Sequence, residues 1–143
     1  VEFLPFKAGI AADSDMVMMS HVAVSQITGK ETPASLTKLM VNDILREELQ
    51  FNNVIITDAM NMKVITKFYD ADQAAVMAVE AGNDMILMPD NFELAFEGLL
   101  EAVKDGTISE NQIDEAVGRI LTVKIRRGII PKDSKLFRQN AGK

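Results

Sequence analysis

Three short apolar runs, spaced among segments of helical periodicity, constrain the fold of this 143-residue chain more than any other feature. The runs lie at Asp15–Ser20, Val54–Thr57 and Asp84–Met88. Each is shorter than an ordinary helix and shows little alternation of polar and apolar residues, which is typical of strands buried on both faces. Because strands that alternate with helices form parallel sheets, the sequence predicts an α/β fold.

Helical patterns surround these runs. Leu4–Ala12 is typical of the end of a helix, and Pro5 suits its first turn. A second helix is predicted to open at Pro33-Ala34-Ser35, with Ser35 as its N-cap. The remaining predicted helices are Ala74–Ala81 ended by Gly82, one capped by Asn91, and one begun by a capping box of Ser109 and Gln112.

The number of strands is too small for a closed barrel. An eight-stranded α/β barrel takes about 250 residues, and this chain also opens in what resembles the middle of a helix. The sequence therefore predicts either a small open sheet or parallel βα units of a larger barrel, incomplete on their own. We expect residues 1–130 to form this α/β portion and the polar, basic residues 131–143 to form a tail or linker.

Composition excludes several classes of function. A net charge of −6 argues against nucleic acid as a partner, and no apolar stretch approaches the roughly 20 residues of a membrane span. The chain has no Cys and one His, which excludes disulfides, thiolate chemistry and a His-rich metal site. Since it also contains no phosphate loop, zinc spacing or calcium loop, we expect no cofactor and no metal.

The second apolar run ends in a carboxylate, Asp58. In barrel-type α/β enzymes the catalytic groups sit at the carboxyl ends of the strands, so Asp58 would place an ionised oxygen at the mouth of a site. The alternative is an Asp that caps the next helix or closes a turn. The residues alone favour that alternative.

Three segments carry a resemblance to a known family: Asp15–His21, Ile56–Met62 and Ala81–Met88. In this order they resemble strands six, seven and eight of the TIM-type barrel in the N-terminal catalytic domain of glycoside hydrolase family 3, in its β-N-acetylhexosaminidase branch, and Ile56–Met62 is similar to the nucleophile motif. The resemblance runs from about Phe3 to Gly128. The motif that carries the family's acid/base residue has no counterpart here. The resemblance therefore implies only the last third to half of the barrel.

The resemblance also implies roles for four residues. Asp58 becomes the nucleophile of a retaining glycosidase, a role we then prefer to capping. His21 is expected to line the sugar pocket or to orient Asp58, or else to be a partly buried histidine satisfied by backbone. Met60 and Met62 are candidates for an apolar wall near the sugar, with plain packing as the alternative.

The residue after Asp58 separates branches of the family. β-Glucosidases and β-xylosidases of the family usually have Trp there, whereas this chain has Ala59 and no Trp. The resemblance thus implies hydrolysis of terminal N-acetylglucosaminides in cell-wall-type glycans, with glucosides or xylosides as the alternative. It leaves open a cytoplasmic or a secreted location.

The expected partners are a carbohydrate and more of the barrel. Unpaired strand edges predict self-association or pairing with the missing barrel strands. Without those strands, the chain would be a non-catalytic fragment or subunit.

Overall fold

A computed structural model describes residues 3–29 and 31–131. Of the predicted tail, 131–143, all but Pro131 lies outside the described residues. Helices and strands alternate along the chain. They are α1 Leu4–Ala11, β1 Met16–Met19, α2 Ser25–Thr28, a 3-10 turn Ala34–Leu36, a π helix Leu39–Glu48, β2 Val54–Ala59, α3 Lys63–Thr66, α4 Ala71–Ala81, β3 Met85–Leu87, α5 Phe92–Lys104 and α6 Glu110–Arg126.

The three strands form one parallel sheet in the order β1-β2-β3, which confirms the predicted α/β class. Met16 lies opposite Val54 and Met19 opposite Thr57 in the first pair of strands. The register between β2 and β3 shifts between Ile56 and Ala59. Across the described residues the sheet does not close, so β1 and β3 are its edges.

The prediction that all three strands are buried on both faces holds for β2 alone. Val54, Ile55 and Thr57 are fully buried, whereas Met16 and Met18 of β1 are 40% and 53% exposed. The residues of β3 are half-buried. The prediction is wrong for the edge strands because each of them has a neighbouring strand on one side only.

Helices cover one face of the sheet. The first apolar cluster joins Val41 and Leu45 of the π helix to Met19 and Ile55 of the strands. A second cluster lies under α4 and includes Leu36, Met60, Ile65, Ala74 and Ala78. These two clusters fix the helices against one face of the sheet.

Two predicted helix starts need correction. Ser35 is not an N-cap: it lies inside the 3-10 turn, fully buried, and the following helix begins only at Leu39. Ser109 does cap α6, but the side chain of Gln112 donates to the carbonyl of Val79 at 2.6 Å instead of closing the capping box. In both cases the side chain that the local pattern assigned to a cap makes a tertiary hydrogen bond instead, Ser35 with His21 and Gln112 with Val79. The predicted cap at Asn91 is confirmed, since its Oδ1 accepts from the N–H of Leu94 at 3.0 Å.

Among the described residues, no helix has the length and apolar character needed to cross a membrane.

Candidate active site

The carboxyl edge of the sheet carries the predicted site. β2 runs through Asp58 to Ala59, two residues further than its apolar pattern predicts. Because the strands are parallel, His21, Asp58 and Asp90 lie beyond or at the carboxyl ends of β1, β2 and β3. Asp15 and Asp84 precede β1 and β3 and lie at the opposite edge.

Asp58 lies just beyond the buried part of β2. Ile55 packs against the π helix, and Ile56 faces the other side of the sheet because successive side chains of a strand alternate. Met18 is the register partner of Ile56 and is half exposed on that side. Val54 to Thr57 are buried, whereas Asp58 is partly exposed, which leaves its carboxylate accessible.

The carboxylate of Asp58 has a single hydrogen-bond partner within the described part of the chain. Its Oδ1 accepts from the backbone N–H of Ala59 at 2.8 Å. None of the ion pairs between described residues involves Asp58. A carboxylate with one backbone donor keeps most of its lone pairs available to a ligand.

His21 is buried and has both ring nitrogens in contact with protein atoms. Its Nδ1 lies 2.7 Å from Oγ of Ser35, and its Nε2 lies 3.1 Å from the carbonyl oxygen of Ala59. A carbonyl can only accept, so Nε2 carries a proton, and in the neutral ring Nδ1 accepts from the hydroxyl. His21 therefore contacts the residue next to Asp58 rather than Asp58 itself.

Of the four buried polar residues of the described chain, His21, Ser35 and Thr57 lie near this strand end and Asn83 lies in the turn before β3. Sequence reasoning missed the positions of Ser35, Thr57 and Asn83. Asn83 donates to the carbonyl of Ser35 at 2.8 Å. Oγ1 of Thr57 accepts from the N–H of Leu87 at 3.0 Å. The one feature of the sequence that could have indicated a buried polar position is the hydroxyl of Thr57, which lies inside an apolar strand.

The predicted site residues Met60 and Met62, and Asp90 beyond β3, lie in different surroundings. Met60 is 3% exposed and packs in the cluster under α4. Met62 is 43% exposed at the start of α3. Asp90 is exposed beyond β3, next to the helix cap at Asn91. The part of the chain that the structure describes holds no group of three or more His, Cys, Asp or Glu side chains placed to bind a metal ion.

At the opposite edge, Asp84 is the centre of a buried ion-pair network. Its side chain is 1% exposed, and its oxygens accept from Arg46 and Arg119, each at 2.8 Å. Oδ2 also accepts from the backbone N–H of Ile55 at 2.8 Å. Burial lowers the pKa of Arg46, although the attraction of Asp84 opposes this shift. The network joins the π helix and α6 to the central strand.

Comparison with known proteins gives a family match. Residues 1–123 match the glycosyl hydrolase family 3 N-terminal domain. A β-N-acetylglucosaminidase of that family from Paenibacillus is 40% identical, with a TM-score of 0.86 over 90% of this chain and 25% of that structure. A Cellulomonas fimi protein described as a β-N-acetylglucosaminidase/β-glucosidase is 29% identical over 87% of this chain. A periplasmic β-glucosidase of Salmonella typhimurium is 30% identical over 96% of it. The chain spans only 24% and 18% of the lengths of these two relatives.

Proposed function

The chain belongs to glycosyl hydrolase family 3 and its unclosed sheet matches part of that family's TIM-type barrel domain, and from this premise we propose that it carries the nucleophile of a retaining β-N-acetylglucosaminidase. One observation carries the proposal. Asp58 lies at the carboxyl end of the central strand and is partly exposed, with a carboxylate that no described cation neutralises. The carboxyl end of a barrel strand is where such enzymes hold their catalytic groups.

In this proposal Asp58 attacks the anomeric carbon of the sugar. The bond from that carbon to the leaving-group oxygen breaks as a general acid protonates the oxygen, and a glycosyl ester forms on Asp58. Water, deprotonated by the same acid/base group, then hydrolyses the ester with net retention. The acid/base group comes from a part of the full-length enzyme outside these 143 residues.

Ala59 supports an N-acetylglucosaminide as the substrate. The family's glucoside-cleaving members usually carry a bulky Trp at this position, and the chain has none. The relatives support a second candidate, because one is described as a β-glucosidase and another with both activities. The two candidate substrates differ in the substituent at C2 of the sugar, which is N-acetylamino in one and hydroxyl in the other. An assay must therefore compare these two classes of substrate.

The first test removes the proposed nucleophile. Asp58→Ala in the full-length enzyme should lower kcat by several orders of magnitude, because no covalent intermediate can form. A mechanism-based fluorosugar should label Asp58 in the wild-type enzyme, as read by peptide mass spectrometry. Asp114→Ala, which removes an exposed carboxylate from α6, is the control. Near-normal turnover by Asp58→Ala would remove this residue from the mechanism.

The second test measures substrate preference. Aryl N-acetylglucosaminides should be cleaved with a higher kcat/KM than the matching aryl glucosides and xylosides. The reverse ranking would support the β-glucosidase candidate and leave the role of Asp58 unchanged.

A further inference from the structure

We propose that His21 and Ser35 are positioning residues that hold the backbone next to Asp58 in its reactive arrangement. The inference rests on the proposed function, since it assigns Asp58 the role of nucleophile. It concerns a chain of hydrogen bonds that runs from Asn83 through Ser35 and His21 to Ala59, which we call the polar network.

The network connects three separate parts of the chain. Ser35 donates its backbone N–H to the carbonyl of Ser20 at 3.1 Å, at the end of β1. Its hydroxyl contacts His21, and the ring of His21 reaches the carbonyl of Ala59 at the end of β2. Asn83 secures the carbonyl of Ser35 from the turn before β3. The ends of β1 and β2 are therefore joined by side chains as well as by the sheet.

The carbonyl of Ala59 sets the tautomer of His21, and Ser35 completes it. The carbonyl can only accept, so Nε2 carries the proton, and in the neutral ring the hydroxyl of Ser35 then donates to Nδ1 at 2.7 Å. Ser35 is fully buried, so no bulk water can replace its hydroxyl. Loss of the hydroxyl would leave Nδ1 without a partner and the ring held at one nitrogen only.

The network acts on the residue that also holds the nucleophile. Ala59 donates its N–H to the carboxylate of Asp58 at 2.8 Å and accepts from His21 with its carbonyl. On the other side of Asp58, the hydroxyl of Thr57 accepts from Leu87. Both neighbours of Asp58 are thus held by buried polar side chains. Since a misplacement of about 1 Å can cost a factor of about 100 in rate, we expect the network to contribute to kcat.

The first experiment compares His21→Asn with His21→Gln in the full-length enzyme. The Gln amide extends to the position of Nε2 and can donate to Ala59, whereas the Asn amide reaches only the position of Nδ1. His21→Asn should lower kcat by about 10- to 100-fold with little change in KM, and His21→Gln should recover most of this loss. Equal kcat values for the two variants, normal or reduced, would overturn the inference.

The second experiment deletes one hydroxyl at each end of the sheet. Ser35→Ala should lower kcat with little change in KM, and the ¹⁵N chemical shift of Nδ1 in the imidazole should change, because this nitrogen loses its hydrogen-bond donor. Ser14→Ala is the matched control, because its hydroxyl donates to the carbonyl of Gly9 at the amino edge. If His21→Asn does not fold, this pair decides: an unchanged kcat or an unchanged Nδ1 chemical shift in Ser35→Ala contradicts the proposal.

Fluorosugar labelling of the wild-type enzyme separates the two proposals. A label on Asp58 together with equal kcat values for the His21 variants overturns the positioning role alone. A label on another residue overturns the proposed function, and the positioning role with it. A label on Asp58 with the predicted difference between Asn and Gln supports both.

Discussion

Two carboxylates of the central region lie in opposite environments. Asp58 is partly exposed and has one backbone donor, whereas Asp84 is enclosed by Arg46, Arg119 and the N–H of Ile55. A reactive carboxylate needs accessible lone pairs, and a buried one needs all of them satisfied. The two edges of the sheet thus have different roles: we propose that chemistry occurs at the carboxyl edge, and ion pairing stabilises the amino edge.

The Asp84 network should be important for stability. Asp84→Ala leaves two guanidinium groups without their partner, and we expect it to lower the free energy of unfolding by about 3–5 kcal/mol, as for other broken buried ion pairs. Urea unfolding of the full-length enzyme measures this change. Glu101→Ala is the matched control, because its pair with Lys104 is well exposed and should contribute less than about 1 kcal/mol. Equal losses in the two variants would contradict this account.

At the scale of helices, the contact between α4 and α5 depends on Gly98. A Cβ at this position would lie 2.6 Å from Cβ and 2.9 Å from Cα of Asp72, so the helices would have to separate. Gly98→Ala should therefore destabilise the fold by about 1–3 kcal/mol, the usual effect of overpacking.

Gly118→Ala is the control for this packing effect, and thermal unfolding of the two variants compares them. No atom lies within 4 Å of a Cβ added at Gly118 of α6, and Ala favours a helix over Gly by about 1 kcal/mol. This variant should be neutral or more stable. A Gly98→Ala protein as stable as Gly118→Ala would show that the helices can move apart freely.

The attachment of α6 to β1 should depend on pH. Arg127, and then Arg126, donate to Asp15, and these hydrogen bonds lower the pKa of its carboxyl below the usual 3.8. Because the folded pKa lies below the unfolded one, the stabilisation is complete above the unfolded pKa and is lost as the pH falls through the folded pKa. The exposed part of the contact is screened by salt.

Asp15→Asn tests this dependence. Wild type should be more stable than the variant at about pH 6, and the difference should be smaller at about pH 3, because the stabilisation decreases as the pH falls below the unfolded pKa and toward the lowered folded pKa of Asp15. Thermal unfolding at the two pH values measures it, with Asp114→Asn on the solvent side of α6 as the control. A difference that persists unchanged in acid would mean that Asp15 acts through packing instead of charge.

At the scale of the whole molecule, the sheet has two edges without a partner strand in the described chain. Met16 and Met18 expose apolar surface beside the edge at β1, and Val22 and Phe6 add to it. Such an edge invites pairing with another chain. We therefore propose that the isolated 143-residue chain self-associates or binds the rest of the barrel, and that it does not hydrolyse substrate alone.

Sedimentation velocity and an activity assay on one sample test this proposal. Met18→Lys should reduce self-association, because a charge on an edge strand opposes pairing. Val117→Lys, at an exposed apolar position of α6, should have no such effect. A monomeric chain that turns over substrate would contradict both parts.

The sequence by itself determined the α/β class, the position of the three strands and the placement of Asp58 at a strand end. These features depend on local periodicity and on chain order, since parallel strands must end at the same edge. Tertiary structure alone decided which strands are buried, because burial depends on the neighbouring strands. The sequence of β1 is as apolar as that of β2, but β1 lies at an edge of the sheet and is more exposed. It also decided the partners of the buried polar groups. His21 and Ala59 are 38 residues apart, and Ser35 and Asn83 are 48 apart, so no local pattern could predict these contacts.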